Sequence, residues 1–284
     1  MNQQVVINVE NLDKVFKDFW GRNKVQALKD VTLQINLGQV FALLGPNGSG
    51  KTTFIKILLG LLAPTKGSVS IFGDSIFKTS NKARIGLLPE ASYFYQNMNG
   101  YETLDFYAKL LSLPKAQRLD RIEYLLDLTE MTTQAHRRLG DYSQGMQRRI
   151  GIAQALLADP ELLILDEPTN GLDPIAIEQV HNLISKLKNE GKTILICTHL
   201  LSETENVCDD LALLYEGQLL STGALQDLYS EYQCQNMKDL FYRIIESKQT
   251  INTKIKDAKV SDDDDNPQEP DVPNEDYLKN ITHS

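Results

Sequence analysis

The chain has 284 residues, of which 42% are apolar and 24% charged, enough to bury a sizeable core in one large domain or two joined subdomains. Its net charge of −9 is concentrated at the end: from Ser261 onward eight acidic residues accompany one lysine, which leaves the body at about −2 and argues against a nucleic-acid-binding surface. Three cysteines in no framework spacing, no signal-peptide pattern and no run near the ~20 apolar residues of a membrane helix argue against a disulfide scaffold or an integral membrane chain, and predict a cytosolic one.

In chain order, Val31, Leu33, Ile35 and Leu37 alternate with Thr32, Gln34 and Asn36, which predicts a half-buried antiparallel strand. The continuous apolar run at 40–44, "VFALL", predicts a fully buried strand, and "SVSIF" after Gly67 alternates again. From about 101 to 157 the spacing becomes helical, with Leu104, Tyr107, Ala108 and Leu111, then Ile122, Leu125 and Leu126. "ELLILD" at 161–166 returns to a buried strand. Asp173 and Pro174 then open a helix whose stripe is Ile177, Val180, Ile184 and Leu187. "TILICT" at 193–198 is another buried strand, with Cys197 as a reduced core thiol, and "LALLYEGQLLS" at 211–221 is a strand pair around a turn. Strands alternating with helices predict a largely parallel sheet, with the helical middle inserted between its halves. Residues 224–260 read as amphipathic helix. The tail from Ser261, with "DDDD" and three prolines, has too little apolar surface to fold.

Between the buried strand at 40–44 and the helical run "TFIKILLGLL" lies "GPNGSGKTT": Gly45, Pro46, Asn47, Gly48, Ser49, Gly50, Lys51, Thr52 and Thr53. It fits G-x-x-x-x-G-K-[ST] in the strand-then-helix context that the motif needs. The glycines let backbone N–H groups close on an anion, and the helix N-terminus adds positive partial charge. Lys51 is placed to reach β- and γ-phosphates and the Thr52 hydroxyl to ligate Mg²⁺. The loop alone does not choose between kinases, GTPases, helicases and transport ATPases. In "LLILDEP", Asp166 is placed to hold Mg²⁺ through water, and Glu167 to polarise an attacking water.

Together, "YSQGMQRR" at 142–149, "LLILDEPTNGLDP" at 162–174 and "TH" at 198–199 resemble the ATP-binding subunits of ABC transporters, in order, over about residues 5–222. The resemblance implies an α/β P-loop NTPase core with a mostly parallel sheet, an N-terminal antiparallel β-subdomain and an inserted helical subdomain at about 90–157. A C-terminal helical extension (223–260) and a disordered acidic tail (261–284) would follow. It further implies head-to-tail pairing with a second nucleotide-binding subunit, expected as a homodimer. Each ATP would lie between one phosphate loop and the other subunit's Ser143 and Gly145. Glu167 would be the general base, His199 a γ-phosphate contact, and Asp173 a link between the two sites. An aromatic residue before the phosphate loop stacks on adenine in such subunits. Phe16 aligns best, with Phe19 and Trp20 as rivals and core packing as the alternative for all three. Two departures stand out: Gln144 and Met146 replace a glycine and a glutamine, and Glu90 stands where a glutamine senses the metal. Both resemble the branch that powers ABC-2-type exporters. The implied activity is ATP hydrolysis coupled to transport through separate membrane permease subunits that dock around 90–115, from the cytoplasmic face, with ATP and Mg²⁺ as cofactors. The alternative is a soluble ABC ATPase acting on ribosomes or DNA.

Overall fold

Two long strands begin the chain, β1 (Val5–Lys17) and β2 (Asn23–Asn36), paired antiparallel with several register breaks along β1. The computed structural model describes residues 4–18 and 20–260; Phe19 and the acidic tail from Ser261 lie outside the described residues. After β2 come β3 (Val40–Leu44), α1 (Lys51–Leu58), β4 (Lys66–Ile71), the two-residue β5 (Asp74–Ser75), the single turn α2 (Thr79–Lys82) and β6 (Ile85–Leu88). The helical insertion holds α3 (Gly100–Leu110), α4 (Lys115–Leu128) and α5 (Gln144–Ala155). The chain then runs through β7 (Leu162–Asp166), α6 (Pro174–Asn189), β8 (Thr193–Thr198), α7 (Leu201–Thr204), β9 (Asp210–Tyr215), β10 (Gln218–Ala224), α8 (Leu225–Glu231) and α9 (Met237–Val260). The described residues up to Ile245 belong to one compact unit, and those from Glu246 to a second.

Two sheets organise the first unit. The smaller, β2-β1-β4-β5, is antiparallel. The larger has the order β10-β9-β3-β8-β7-β6 and is parallel except at the β9–β10 hairpin. Every residue of β3, β7 and β8 is buried, which is why these strands read as unbroken apolar runs. Their side chains alternate between two cores. Phe41, Leu43, Leu162, Ile164, Leu195 and Cys197 join α1 and the antiparallel sheet, while Leu163, Leu165, Ile194 and Ile196 join the helices of the other side. Each such fully buried leucine or isoleucine contributes about 1.5–3 kcal/mol relative to exposure.

Local signals explain several element ends. Asn99 and Glu102 form a reciprocal capping box at the start of α3. Asp173 caps α6 by accepting from the Ala176 N–H at 2.9 Å, with Pro174 in the first turn. The insertion is packed through Leu104, Ala108, Ile122, Leu125 and Leu126, all buried. Two apolar positions depart from expectation. Leu37 lies one residue past the end of β2, where the chain turns through Gly38 (φ +74°), and is 46% exposed rather than continuing the buried face. Leu111 caps α3 and is also exposed rather than part of the stripe. The apolar run after the phosphate loop supports only eight helical residues, because Gly60 (φ +66°) takes a left-handed conformation and ends α1.

Candidate functional site

Parallel register brings the carboxyl ends of three buried strands level: Leu44 pairs with Thr198, and Asp166 with Cys197. The loops leaving β3, β7 and β8 therefore emerge side by side, the usual ligand-binding edge of an open α/β sheet. There a cleft of about 340 Å³ is lined by Asn47, Gly48, Gly50, Lys51, Thr52, Thr53, Glu90, Asp166 and Glu167, with Val25, Gln26, Ala27, Glu216 and Gly217 at the side of the β-subdomain and the β9–β10 turn.

The phosphate loop is formed and under-satisfied. Gly48 (φ +82°) and Gly50 (φ +112°) hold conformations that side chains disfavour, and a Cβ on Gly45 or Gly50 would strike backbone carbonyls of Leu214 or Ala27. Lys51 is buried and folds back to donate to the carbonyls of Gly45 (2.6 Å) and Pro46 (3.2 Å). The buried Ser49 hydroxyl has no partner. A concave loop with a spare hydroxyl, helix-terminal N–H groups and an ammonium has the donor chemistry of a phosphate site. For a divalent cation the fit is different. No cluster of three or more His, Cys, Asp or Glu able to hold a metal occurs among the described residues. Thr52, Asp166 and Glu90 line the cleft as separate oxygen donors, which suits Mg²⁺ held largely by substrate phosphates and water.

The acid pair is divided by backbone direction. Asp166 ends β7, and Glu167 takes a left-handed φ of +49°, turning its carboxylate across to β8. Glu167 Oε1 lies 3.7 Å from Lys51 Nζ and 3.0 Å from His199 Nδ1, the latter without hydrogen-bond alignment. Its Oε2 accepts from the Thr198 hydroxyl at 2.7 Å and from the His199 N–H at 3.4 Å. Burial, with the charges of Glu167 and Glu90, pushes Asp166 up to about 6.

Ser143 and Gly145 do not line this cleft. Ser143 is exposed and caps α5, accepting from the Met146 N–H at 3.3 Å, while Gly145 has no room for a side chain against Ala176. Gln144, in place of a glycine, puts its amide against Gly171. Phe16 is not a lining residue either. It is 39% exposed, pairs across the ladder with the lining residue Val25, and has the Lys14 ammonium 5.3 Å from its ring centroid. Trp20 is exposed on the turn that follows β1. Asp173 serves α6 as its cap.

Sequence reasoning assigned no role to Arg148, yet it is buried and donates to the carbonyls of Pro89 (3.1 Å) and Glu90 (3.0 Å). Helical spacing with the buried Gly145 and Ile152 was the available signal.

Residues 28–170 match the ABC transporter family. An uncharacterised ABC transporter ATP-binding protein of Synechocystis sp. is 40% identical over 229 residues, 80% of this chain and 65% of that protein. An uncharacterised ABC transporter ATP-binding protein of Nostoc sp. is 40% identical over 230 residues, covering 80% and 69%. The bacitracin transport ATP-binding protein of Bacillus licheniformis is 39% identical over 218 residues, covering 76% and 68%. The chain thus spans about two thirds of the length of these curated relatives. Among solved structures, an ATP-binding subunit of an ABC transporter superposes with a TM-score of 0.72 at 29% identity, over 84% of this chain and 99% of the other. A dimeric ATP-binding cassette bound to ADP and Pi superposes with a TM-score of 0.68 at 26% identity, over 77% and 98%. The buried-strand cleft, its phosphate loop and these similarities agree: the chain belongs to the ABC transporter family of ATPases and carries its ATP-binding domain.

Proposed function

We propose that the chain is the ATP-hydrolysing subunit of an ABC exporter, working on a separate membrane-spanning permease. One observation carries the reading most: Lys51 and His199 both approach the buried Glu167 carboxylate, at 3.7 Å and 3.0 Å, beside a glycine loop whose buried Ser49 hydroxyl has no protein partner. Backbone N–H groups of Gly48, Gly50, Lys51 and Thr52 take the phosphates of ATP, and Lys51 exchanges its two carbonyls for β- and γ-phosphate oxygens. Thr52, Asp166 and Glu90 would hold Mg²⁺, which supplies charge neutralisation at the phosphates when bound. Glu167, oriented by Thr198, accepts the proton of the attacking water, and His199 donates to the γ-phosphate. Phe16 stacks on adenine from the rim beside Val25. Ser143 and Gly145 serve the nucleotide of a second subunit, which fits their absence from the chain's own cleft and the dimeric ADP-bound relative.

Among the described residues no helix is long and apolar enough to cross a membrane, so in this reading the translocation path belongs to other chains. A groove of about 570 Å³ between β6, α3 and α5 offers them a seat, lined by Pro89, Tyr93, Phe94, Tyr107, Leu110 and Leu111, with Tyr93 90% exposed. Relatives named for bacitracin and lantibiotic transport support the exporter branch. The purified chain should hydrolyse Mg-ATP, and extraction from membranes in mild detergent should co-purify polytopic membrane proteins. A chain that neither binds ATP nor retains a membrane partner overturns the proposal.

A further inference from the structure

The cleft carries an unusual balance of charge. Glu90, Asp166 and Glu167 line it together, with Glu216 at the β9–β10 turn, whereas Lys51 is its one lining cation among the described residues. The preferred guest in the reading above is a polyanion. Four carboxylates around one ammonium repel that guest before any metal arrives.

A second cation stands behind the lining. Arg148 lies on α5, 8% exposed, and one guanidinium nitrogen donates to two successive carbonyls, Pro89 and Glu90. The helix that carries it sits tight on β6, since a Cβ on Gly151 would lie 2.6 Å from a Leu88 methyl. Arg148 is therefore held where the loop of Glu90 leaves the sheet. Burial works against its charge, while the charge of Glu90, ahead of those of Asp166 and Glu167, favours it. Burying an arginine only to tie two carbonyls is costly, because a buried cation needs anionic company. Here the company is the set of carboxylates around the nucleotide cleft.

We propose that Arg148 is a positioning residue for ATP hydrolysis, fixing the Glu90 loop against α5 and offsetting the negative charge that Glu90 adds to the cleft. The proposal rests on the reading that this cleft takes ATP. It separates Arg148 from a merely structural arginine by a specific dependence on Glu90.

The test is a double-mutant cycle on the full-length chain, with a fluorescent ATP analogue bound in the presence of EDTA so that no metal enters the readout. Glu90→Gln should tighten metal-free binding several-fold. Arg148→Gln should weaken it about tenfold, the scale of one charge at these separations in a protein environment. The double variant Glu90→Gln/Arg148→Gln should return to within about threefold of the parent in this metal-free assay. If Arg148→Gln costs the same factor with and without Glu90, the two residues are independent and the proposal falls. If Arg148→Gln melts below the assay temperature, melting temperature becomes the readout: Glu90→Gln should restore it, and equal losses in both backgrounds overturn the proposal. A parent chain that binds no analogue, and is unchanged by Lys51→Ala, counts instead against the nucleotide reading itself.

Discussion

The loop at 45–53 and the segment at 143–145 both lie at a helix N-terminus, yet they differ in how complete they are. The first leaves a central buried strand, is locked by left-handed glycines and holds its lysine inside. The second opens α5 at the surface, with its serine spent on capping and no cleft of its own. A helix N-terminus makes a site only where the fold puts walls around it. One segment finds those walls in this chain, and the other would find them in a partner.

The strongest way to break the comparison is Lys51→Ala. Removing the ammonium that would face the phosphates in the proposed complex should weaken ATP binding by about a hundredfold or more and end turnover, and titration with a fluorescent nucleotide checks it. Ser143→Arg should also end turnover but leave ATP affinity of the monomer within about twofold; equal loss of both would make 143–145 part of the chain's own site. Glu167→Gln should slow hydrolysis about 10²–10⁴-fold, because an amide cannot accept the proton. Sizing chromatography with Mg-ATP should then show accumulated dimer, and a monomer with parental turnover would remove Glu167 as the base.

Asp166 sharpens the comparison from the stability side. Its folded value of about 6 lies above the ordinary aspartate value near 4, so ionisation disfavours the ligand-free fold. The contribution is absent below about pH 4, grows to roughly 2–3 kcal/mol as pH rises to about 6, and is level above. Asp166→Asn should therefore raise the melting temperature of the ligand-free chain at pH 7 by several degrees, with a smaller gain at pH 5. Phe16→Ala should have the smallest effect, a few-fold weaker ATP binding with unchanged kcat. No change would leave Phe16 as ordinary rim packing.

The parts legible in the sequence share a physical cause. Strands β3, β7 and β8 are buried on both faces, so composition alone marks them. The phosphate loop is legible because its chemistry is contiguous. Strand β1 is not, because its register breaks and the left-handed Asn11 disrupt alternation. Arg148 was missed because its partners are 58 and 59 residues away, and a doublet of arginines reads as a solvated face until packing buries one. Likewise Thr198 gains its meaning from a carboxylate 31 residues earlier. The disordered acidic tail expected from Ser261 lies outside the described residues.

Cys197 sits fully buried at the centre of the sheet, level with Asp166 and Leu43, its thiol pushed far up by desolvation. Such a sulfur reacts with an alkylating reagent only after the sheet has opened, so its labelling rate is a clock for whole-domain unfolding. Nucleotide at a hundred times its dissociation constant adds about 2.7 kcal/mol to the closed state, and labelling should slow by about a hundredfold. The native chain thus carries its own reporter of occupancy, with no engineered residue and no turnover required.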